Sequence, residues 1–276
     1  MGLDRITNAF ASARAEGRAA LMPYYTLGYP DAAMSEAVIR AVAAAGADLI
    51  ELGVPFSDPL ADGPTIQRST QVALEQGMTV ARCLESTAHL RADGVSRALL
   101  LMGYVNPVLA YGAARFVADA AAAGADGLIL PDLPPEEADE ISSACASHGL
   151  ALIYLAAPTT TDERLALLAS RTAGFLYLVS VAGVTGARAG LPADLAAFVG
   201  RARAVARTPV AVGFGIATPE QARAVGRLAD GVIVGSALIN AVDGTADPSA
   251  AARAFVGGLR AALASDSSSV SAFLYA

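Results

Sequence analysis

Eight short stretches of the chain are almost continuously apolar, and longer stretches with a helical repeat lie between them. The short stretches do not alternate polar with apolar residues, which is typical of parallel strands covered on both faces. The predicted strands are residues 20–26, 48–52, 98–102, 127–130, 151–155, 175–180, 210–212 and 231–234. In the longer stretches, apolar residues recur at steps of three and four, which predicts amphipathic helices. The predicted helices are residues 4–16, 34–45, 79–91, 113–123, 135–147, 162–170, 193–205, 219–226 and 249–263.

The order of these elements favours a closed barrel. The tetrapeptide Ala-Gly-Ala-Asp occurs at 45–48 and again at 123–126, where a helix ends at glycine and a strand follows at once. We therefore expect an α/β fold, a single (β/α)₈ TIM barrel with an extra N-terminal helix, formed by one domain over residues 1–276. The Ser-rich tail, 264–276, is expected to be loosely held. A doubly wound open sheet is the alternative.

Composition and charge exclude several classes of partner. Apolar residues make up 54% of the chain, yet no run reaches the ~18–20 residues that a membrane helix needs. The first residues include an acid and an amide where a signal peptide would be apolar. The net charge of −7 disfavours nucleic acid and anionic membranes. We expect a cytoplasmic protein with neither partner.

Two features of the composition narrow the chemistry. All 19 basic residues are arginine, and the absence of lysine excludes a Schiff base or lysine-bound pyridoxal phosphate on this chain. His89 and His148 lack metal-ligand spacing, so no metal is expected. Cys83 and Cys145 have the character of buried thiols in helices. Catalysis is therefore expected to use carboxylates, hydroxyl groups and backbone groups.

The most informative candidate for catalysis is Glu51. It interrupts an apolar strand at the end where catalytic groups of a barrel collect. A poorly solvated carboxyl group there would have a raised pKa and could transfer protons near neutrality. The alternative is an acid that caps a loop or pairs with an arginine. Asp62 lies in a Pro- and Gly-rich segment and by itself could be a turn residue, but together the two suggest an acid/base pair.

Glycines after the last two predicted strands suggest a phosphate site. Gly213-Phe-Gly215 follows the seventh strand and Gly235-Ser236 follows the eighth, where barrels frequently bind phosphate through backbone N–H groups. Tight turns are the alternative. The loop over residues 183–190 carries three glycines and predicts a mobile lid, or simply a flexible surface loop.

The segment over residues 51–67 resembles the characteristic segment of tryptophan synthase α subunits along its whole length. The similarity continues in family order across roughly residues 20–240. It includes residues 26–30, 104–107, 131–134, 180–186, 213–216 and 235–236.

This resemblance implies retro-aldol cleavage of indole-3-glycerol phosphate to indole and glyceraldehyde 3-phosphate. It makes Glu51 the general acid/base that protonates C3 of the indole ring. It makes Asp62 the acceptor of the indole N–H, which stabilises the positive charge on the ring. The other implied contacts are Tyr24, Met102, Ile129 and Phe214 around the indole, Tyr177 near Glu51, Thr185 near Asp62, and Gly186, Gly215, Gly235 and Ser236 on the phosphate.

The resemblance also implies a partner. The loop formed by Pro55, Phe56, Ser57 and Asp58 would contact a β subunit in an α₂β₂ complex. That subunit would use indole and pyridoxal phosphate to make tryptophan, with no cofactor on this chain. Three alternatives remain: another phosphate-binding barrel enzyme such as a sugar-phosphate isomerase, a catalytically silent regulator of a β-type partner, and a stand-alone indole-releasing lyase.

Overall fold

The computed structural model describes residues 2–179, 194–213 and 215–264, and in them all strand pairing is parallel. The strands form one sheet in the order β5-β4-β3-β2-β1-β9-β8-β7-β6. Their bounds are β1 Ala20–Thr26, β2 Leu49–Gly53, β3 Ala98–Met102, β4 Gly127–Ile129, β5 Ala151–Ile153, β6 Leu155–Ala156, β7 Leu176–Val179, β8 Val210–Gly213 and β9 Gly231–Val234.

The two ends of this sheet belong to one stretch of chain. β5 and β6 are separated only by Tyr154; β5 pairs with β4, and β6 pairs with β7. The backbone N–H of Tyr177 donates to the Tyr154 carbonyl at 3.1 Å, which joins the two halves. The predicted fifth strand therefore closes the sheet, and the TIM barrel expected from the sequence is confirmed.

Helices connect the strands and surround the barrel. The described helices are α1 Gly2–Ala15, α2 Ala32–Ala44, α3 Pro64–Glu75, α4 Val80–Ala92, α5 Val105–Tyr111, α6 Ala113–Ala122, α7 Asp139–His148, α8 Asp162–Arg171, α9 Leu195–Val205, α10 Pro219–Gly226, α11 Ser236–Val242 and α12 Pro248–Ala264. Within the described residues, no helix is both long and apolar enough to span a membrane. The tail expected to be loosely held lies, apart from Ala264, outside the described residues.

Four helices differ from the sequence-based expectation. α3, α5 and α11 were not predicted, because α3 begins in a Gly- and Pro-rich segment and the other two span seven residues each. Seven residues are two turns, too few for a helical repeat to be recognised. α7 begins at Asp139 and not at 135, since a turn follows Pro134, where the Glu137 N–H donates to the Pro134 carbonyl.

The N-terminal end of the barrel is held by three aspartates in equivalent positions. Asp48, Asp126 and Asp230 each precede a strand, and each carboxylate accepts the backbone N–H of a residue on the neighbouring strand at 2.8–2.9 Å. Each also accepts from arginine: Arg18 at Asp48, Arg5 and Arg91 at Asp126, and Arg14 and Arg203 at Asp230. Of the three, Asp48 and Asp126 are buried and Asp230 is partly buried. Acids at this end of a barrel serve stability, because catalytic groups collect at the other end.

The extra N-terminal helix covers the same end. Phe10 of α1 is buried, and its ring centroid lies 5.6 Å from that of Phe175. A β-carbon at Gly231 would come within 3.0 Å of the Phe10 ring. The helix thus seals the bottom of the barrel, which leaves the opposite end for a site.

Candidate active site

A cavity of about 170 Å³ opens at the C-terminal ends of the strands. Eight residues predicted to form the site line it: Tyr24, Glu51, Asp62, Met102, Tyr177, Gly215, Gly235 and Ser236. Ile129 does not, because it is fully buried in β4 between Met102 and Ile153 on the neighbouring strands. Thr185, Gly186 and Phe214, together with the predicted lid, lie outside the described residues.

Glu51 is a buried acid at the base of this cavity. It lies on β2 opposite Tyr24 of β1, and only 1% of its surface is exposed. Within the described part of the chain, its Oε1 atom has no hydrogen-bond partner and its carboxyl group has no arginine beside it. Burial, with the nearby charge of Asp62, raises the pKa of Glu51 to about 8. The group therefore carries a proton at neutral pH, and pairing with an arginine does not explain its position.

Asp62 has a different environment. Its Oδ2 atom accepts a hydrogen bond from the Tyr104 hydroxyl at 2.9 Å, and that hydroxyl accepts from the Ala61 N–H at 3.0 Å. Burial raises the pKa of Asp62 to about 6, and the bond from Tyr104 opposes that rise. Asp62 is therefore mostly ionised at neutral pH, while Glu51 is mostly protonated.

No role was predicted for Tyr104 from the sequence, although it belongs to a segment that resembles the family. It follows Met102 and Gly103 at the end of β3, so its position at the catalytic end was visible in the sequence. Its contact with Asp62 was not, because 42 residues separate the two. The Phe56 ring packs on Tyr104, with centroids 5.5 Å apart, so the loop before Asp62 also holds this tyrosine.

Two glycines make room for the tyrosines of the cavity wall. A β-carbon at Gly53 would lie 2.1 Å from the Tyr24 hydroxyl, and one at Gly213 would lie 2.4 Å from the Tyr177 hydroxyl. Burial raises the pKa of both tyrosines well above the usual value, so they stay neutral. Gly213, which we expected to belong to a phosphate turn, is thus required by the packing of Tyr177.

The far end of the cavity is built by the turns after β8 and β9. Gly215 has a φ of +78°, a conformation that favours glycine. The turn after it leads into α10, where the Thr218 side chain accepts from the Gln221 N–H and the Gln221 side chain accepts from the Thr218 N–H. Gly235 and Ser236 begin α11 directly after β9. These two turns place backbone groups and the Ser236 hydroxyl at the cavity wall. The described lining residues include no cationic side chain.

The loop predicted to contact a partner leaves the same end of the barrel. Pro55 is buried and Phe56 half-buried, whereas Ser57 and Asp58 are exposed and joined by a hydrogen bond from the Ser57 hydroxyl. Leu60 follows in the same loop and is 93% exposed.

A closed (β/α)₈ barrel with two carboxyl groups of different pKa on a single cavity is typical of barrel enzymes that use acid/base chemistry. The family model described as "Tryptophan synthase alpha chain" matches residues 10–260, more than half of the chain. The chain therefore belongs to the tryptophan synthase alpha chain family, a family of lyases, as the resemblance had implied.

Individual relatives agree over nearly the whole length. The tryptophan synthase alpha chain of Chloroflexus aggregans is 53% identical over 241 residues, which cover 87% of this chain and 90% of the relative. That of Caulobacter vibrioides is 52% identical over 246 residues, covering 89% and 90%. A solved structure of Mycobacterium tuberculosis tryptophan synthase superposes with a TM-score of 0.87 at 43% identity, covering 94% of this chain and 98% of that chain. The alpha chain from Legionella pneumophila gives 0.87 at 38% identity, covering 96% and 98%.

Proposed function

We propose that this chain cleaves indole-3-glycerol phosphate to indole and glyceraldehyde 3-phosphate. The observation that carries the proposal is the pair of carboxyl groups on one cavity, with pKa values of about 8 for Glu51 and about 6 for Asp62. The reaction needs both forms at once: an acid for carbon and a carboxylate for the ring nitrogen. Between these two pKa values each group holds the form that its step requires.

The proposed cleavage begins with proton transfer from Glu51 to C3 of the indole ring. The ring becomes a cation, and the ionised Asp62 accepts a hydrogen bond from its N–H and stabilises the charge. The bond between C3 and the glycerol chain then breaks, and its electron pair returns to the ring. The adjacent hydroxyl loses its proton to the Glu51 carboxylate and becomes the aldehyde, which restores the protonated Glu51.

This sequence of steps suits the residues that the chain has. Carbon–carbon cleavage requires an electron sink, and with no lysine the chain cannot form a lysine Schiff base. Protonated indole supplies that sink within the substrate itself. The hydrogen bond from Tyr104 keeps the Asp62 carboxylate oriented and favours its ionised form.

The remaining contacts follow the shape of the cavity. We propose that Tyr24, Met102 and Tyr177 contact the indole ring, since they line the cavity beside Glu51. Gly215, Gly235 and Ser236 would hold the phosphate at the other end. For Thr185, Gly186 and Phe214 the family resemblance alone supports the proposed contacts. Ile129 would pack beneath Met102 and would not contact the indole ring.

We further propose that the loop from Pro55 to Asp58 docks a tryptophan synthase β subunit in an α₂β₂ complex. The supporting observation is the side chain of Leu60, which is 93% exposed beside the site, together with Leu109 on α5, which is 55% exposed. Contiguous exposed apolar side chains are typical of a contact surface, and in this proposal Leu60 and Leu109 belong to one such surface. In this proposal pyridoxal phosphate belongs to the β subunit, and this chain works without a cofactor in the cytoplasm.

The test is indole release from indole-3-glycerol phosphate by the purified chain, followed by the same assay with a β subunit. We expect release by the wild type, near-complete loss in Glu51→Gln, and a faster rate with the β subunit. Normal turnover by Glu51→Gln would refute the mechanism. No release by the wild type, with retained activation of the β subunit, would indicate a silent regulator. Release without any response to the β subunit would indicate a stand-alone lyase.

A further inference from the structure

The wall of the cavity on the phosphate side includes a polar side chain to which the family resemblance assigned no role. Asn240 lies on α11 four residues after Ser236, and both line the cavity. Residues four apart share a helix face, and helical side chains lean toward the helix N-terminus. The Asn240 side chain is exposed, and this lean favours an approach of its carboxamide to the part of the cavity beside Ser236. Among the described residues, nothing hydrogen-bonds to this side chain, so both of its N–H groups can bind a ligand.

The charges around the cavity make such a donor important. The described lining residues include two acids, Glu51 and Asp62, but neither arginine nor histidine. The chain has no lysine and a net charge of −7. Among the described lining residues, a phosphate dianion in this cavity therefore meets only neutral donors, and the two acids make the field unfavourable.

We infer that Asn240 binds the substrate phosphate through its carboxamide and contributes to the selectivity for phosphorylated over unphosphorylated substrate. This inference rests on the proposed function for the identity of the substrate. It adds a carboxamide donor to the backbone groups of Gly215 and Gly235 and to the Ser236 hydroxyl.

The experiment compares two variants, two substrates and a control of equal charge. Asn240→Asp keeps the shape but replaces the NH₂ group by an anionic oxygen, and Asn240→Leu removes all hydrogen bonding. Asn8→Asp on α1 adds the same charge at an exposed position at the other end of the barrel. The substrates are indole-3-glycerol phosphate and its unphosphorylated counterpart, indoleglycerol.

For indole-3-glycerol phosphate, we expect kcat/KM to fall roughly 10- to 100-fold in Asn240→Asp, because a hydrogen bond to a charged group is lost and a like charge is added. In Asn240→Leu we expect a smaller fall, roughly tenfold, because only the hydrogen bond is lost. The loss should lie mainly in KM. For indoleglycerol, all variants should stay within about twofold of wild type, and Asn8→Asp should match wild type with both substrates.

Equal losses with both substrates would show that Asn240 only supports the fold, and unchanged KM values would show that it does not contact phosphate. Either result overturns the inference while leaving the proposed reaction intact. If the wild type releases no indole, the proposed function fails, and glycerol 3-phosphate then serves as the probe. Raised thermal stability of the wild type with this probe, lost in Asn240→Asp, supports the phosphate contact. Equal stabilisation of both proteins, or of neither, overturns it.

Discussion

The buried state of Glu51 has a consequence for stability that can be measured without substrate. Its pKa is about 8 in the folded chain and 4.5 in the exposed reference state, so between these values the folded protein binds more protons than the unfolded one. The free energy of unfolding must therefore fall as pH rises across this window, by up to about 1.4 kcal/mol per pH unit. Below pH 4.5 the Glu51 carboxyl group is protonated in both the folded and the unfolded state, so it adds no pH dependence to the free energy of unfolding.

Glu51→Gln removes this titration and keeps the shape of the side chain. The cost of burying glutamine does not depend on pH, and the titration of Asp62 occurs in both proteins. Neither therefore changes how the stability difference between variant and wild type depends on pH. Relative to wild type, the variant should therefore gain about 2.5 kcal/mol of stability between pH 5.5 and 7.5. The control is Glu85→Gln at an exposed position on α4.

Urea unfolding at a series of pH values measures this difference directly, because the linear extrapolation gives the free energy of unfolding at each pH. We expect the Glu51→Gln difference to rise steadily with pH and the Glu85→Gln difference to stay flat. A flat difference for Glu51→Gln would show that Glu51 is already ionised in the folded protein at neutral pH. It could not then act as the acid, and the assignment of roles would be wrong.

Three further predictions concern other parts of the molecule. Tyr104→Phe removes the hydrogen-bond donor that lowers the pKa of Asp62, so the low-pH limb of the kcat/KM profile should move to higher pH. We also expect kcat to fall roughly tenfold. An unchanged pH profile would contradict the role given to Tyr104. Asp126→Ala should cost about 3 kcal/mol in urea unfolding, because it removes the buried acceptor of the Leu99 N–H and the ion pair with the partly buried Arg91. Asp119→Ala on the surface should cost less than about 1 kcal/mol, and equal losses would argue against the structural role given to Asp126. Leu60→Ser should leave indole release by the isolated chain unchanged, but a β subunit should no longer accelerate that release. If the acceleration is retained, the docking surface lies elsewhere.

Much of the barrel could be predicted from the sequence, because parallel strands buried on both faces leave a strong local pattern. The predicted bounds of the first, third and eighth strands agree with the structure residue by residue. The pattern could not show that Tyr154 divides the fifth strand between two neighbours, since pairing partners are set by the closure of the barrel. It also missed α5 and α11, whose seven residues hold too few turns to show a repeat.

The site was predictable where position along a strand decides it. Glu51 interrupts an apolar strand near its C-terminal end, so its place at the catalytic end followed from local sequence. The contact of Tyr104 with Asp62 depends on how two loops from different strands fold over the cavity, and no local pattern encodes it. For Gly213 the sequence suggested a phosphate turn, and the structure adds a second reason for glycine there, because a β-carbon would collide with the Tyr177 hydroxyl.

The central claim is that Glu51 acts as the acid and Asp62 as the carboxylate. The pH dependence of kcat/KM for indole release tests this claim most directly. We predict a bell-shaped profile that rises through about pH 6 as Asp62 ionises and falls above about pH 8 as Glu51 loses its proton. Because the substrate phosphate also ionises near pH 6, the profile should be repeated with indoleglycerol, where the same two limbs must remain. A rate that is flat from pH 5 to 9 with indoleglycerol would contradict the account.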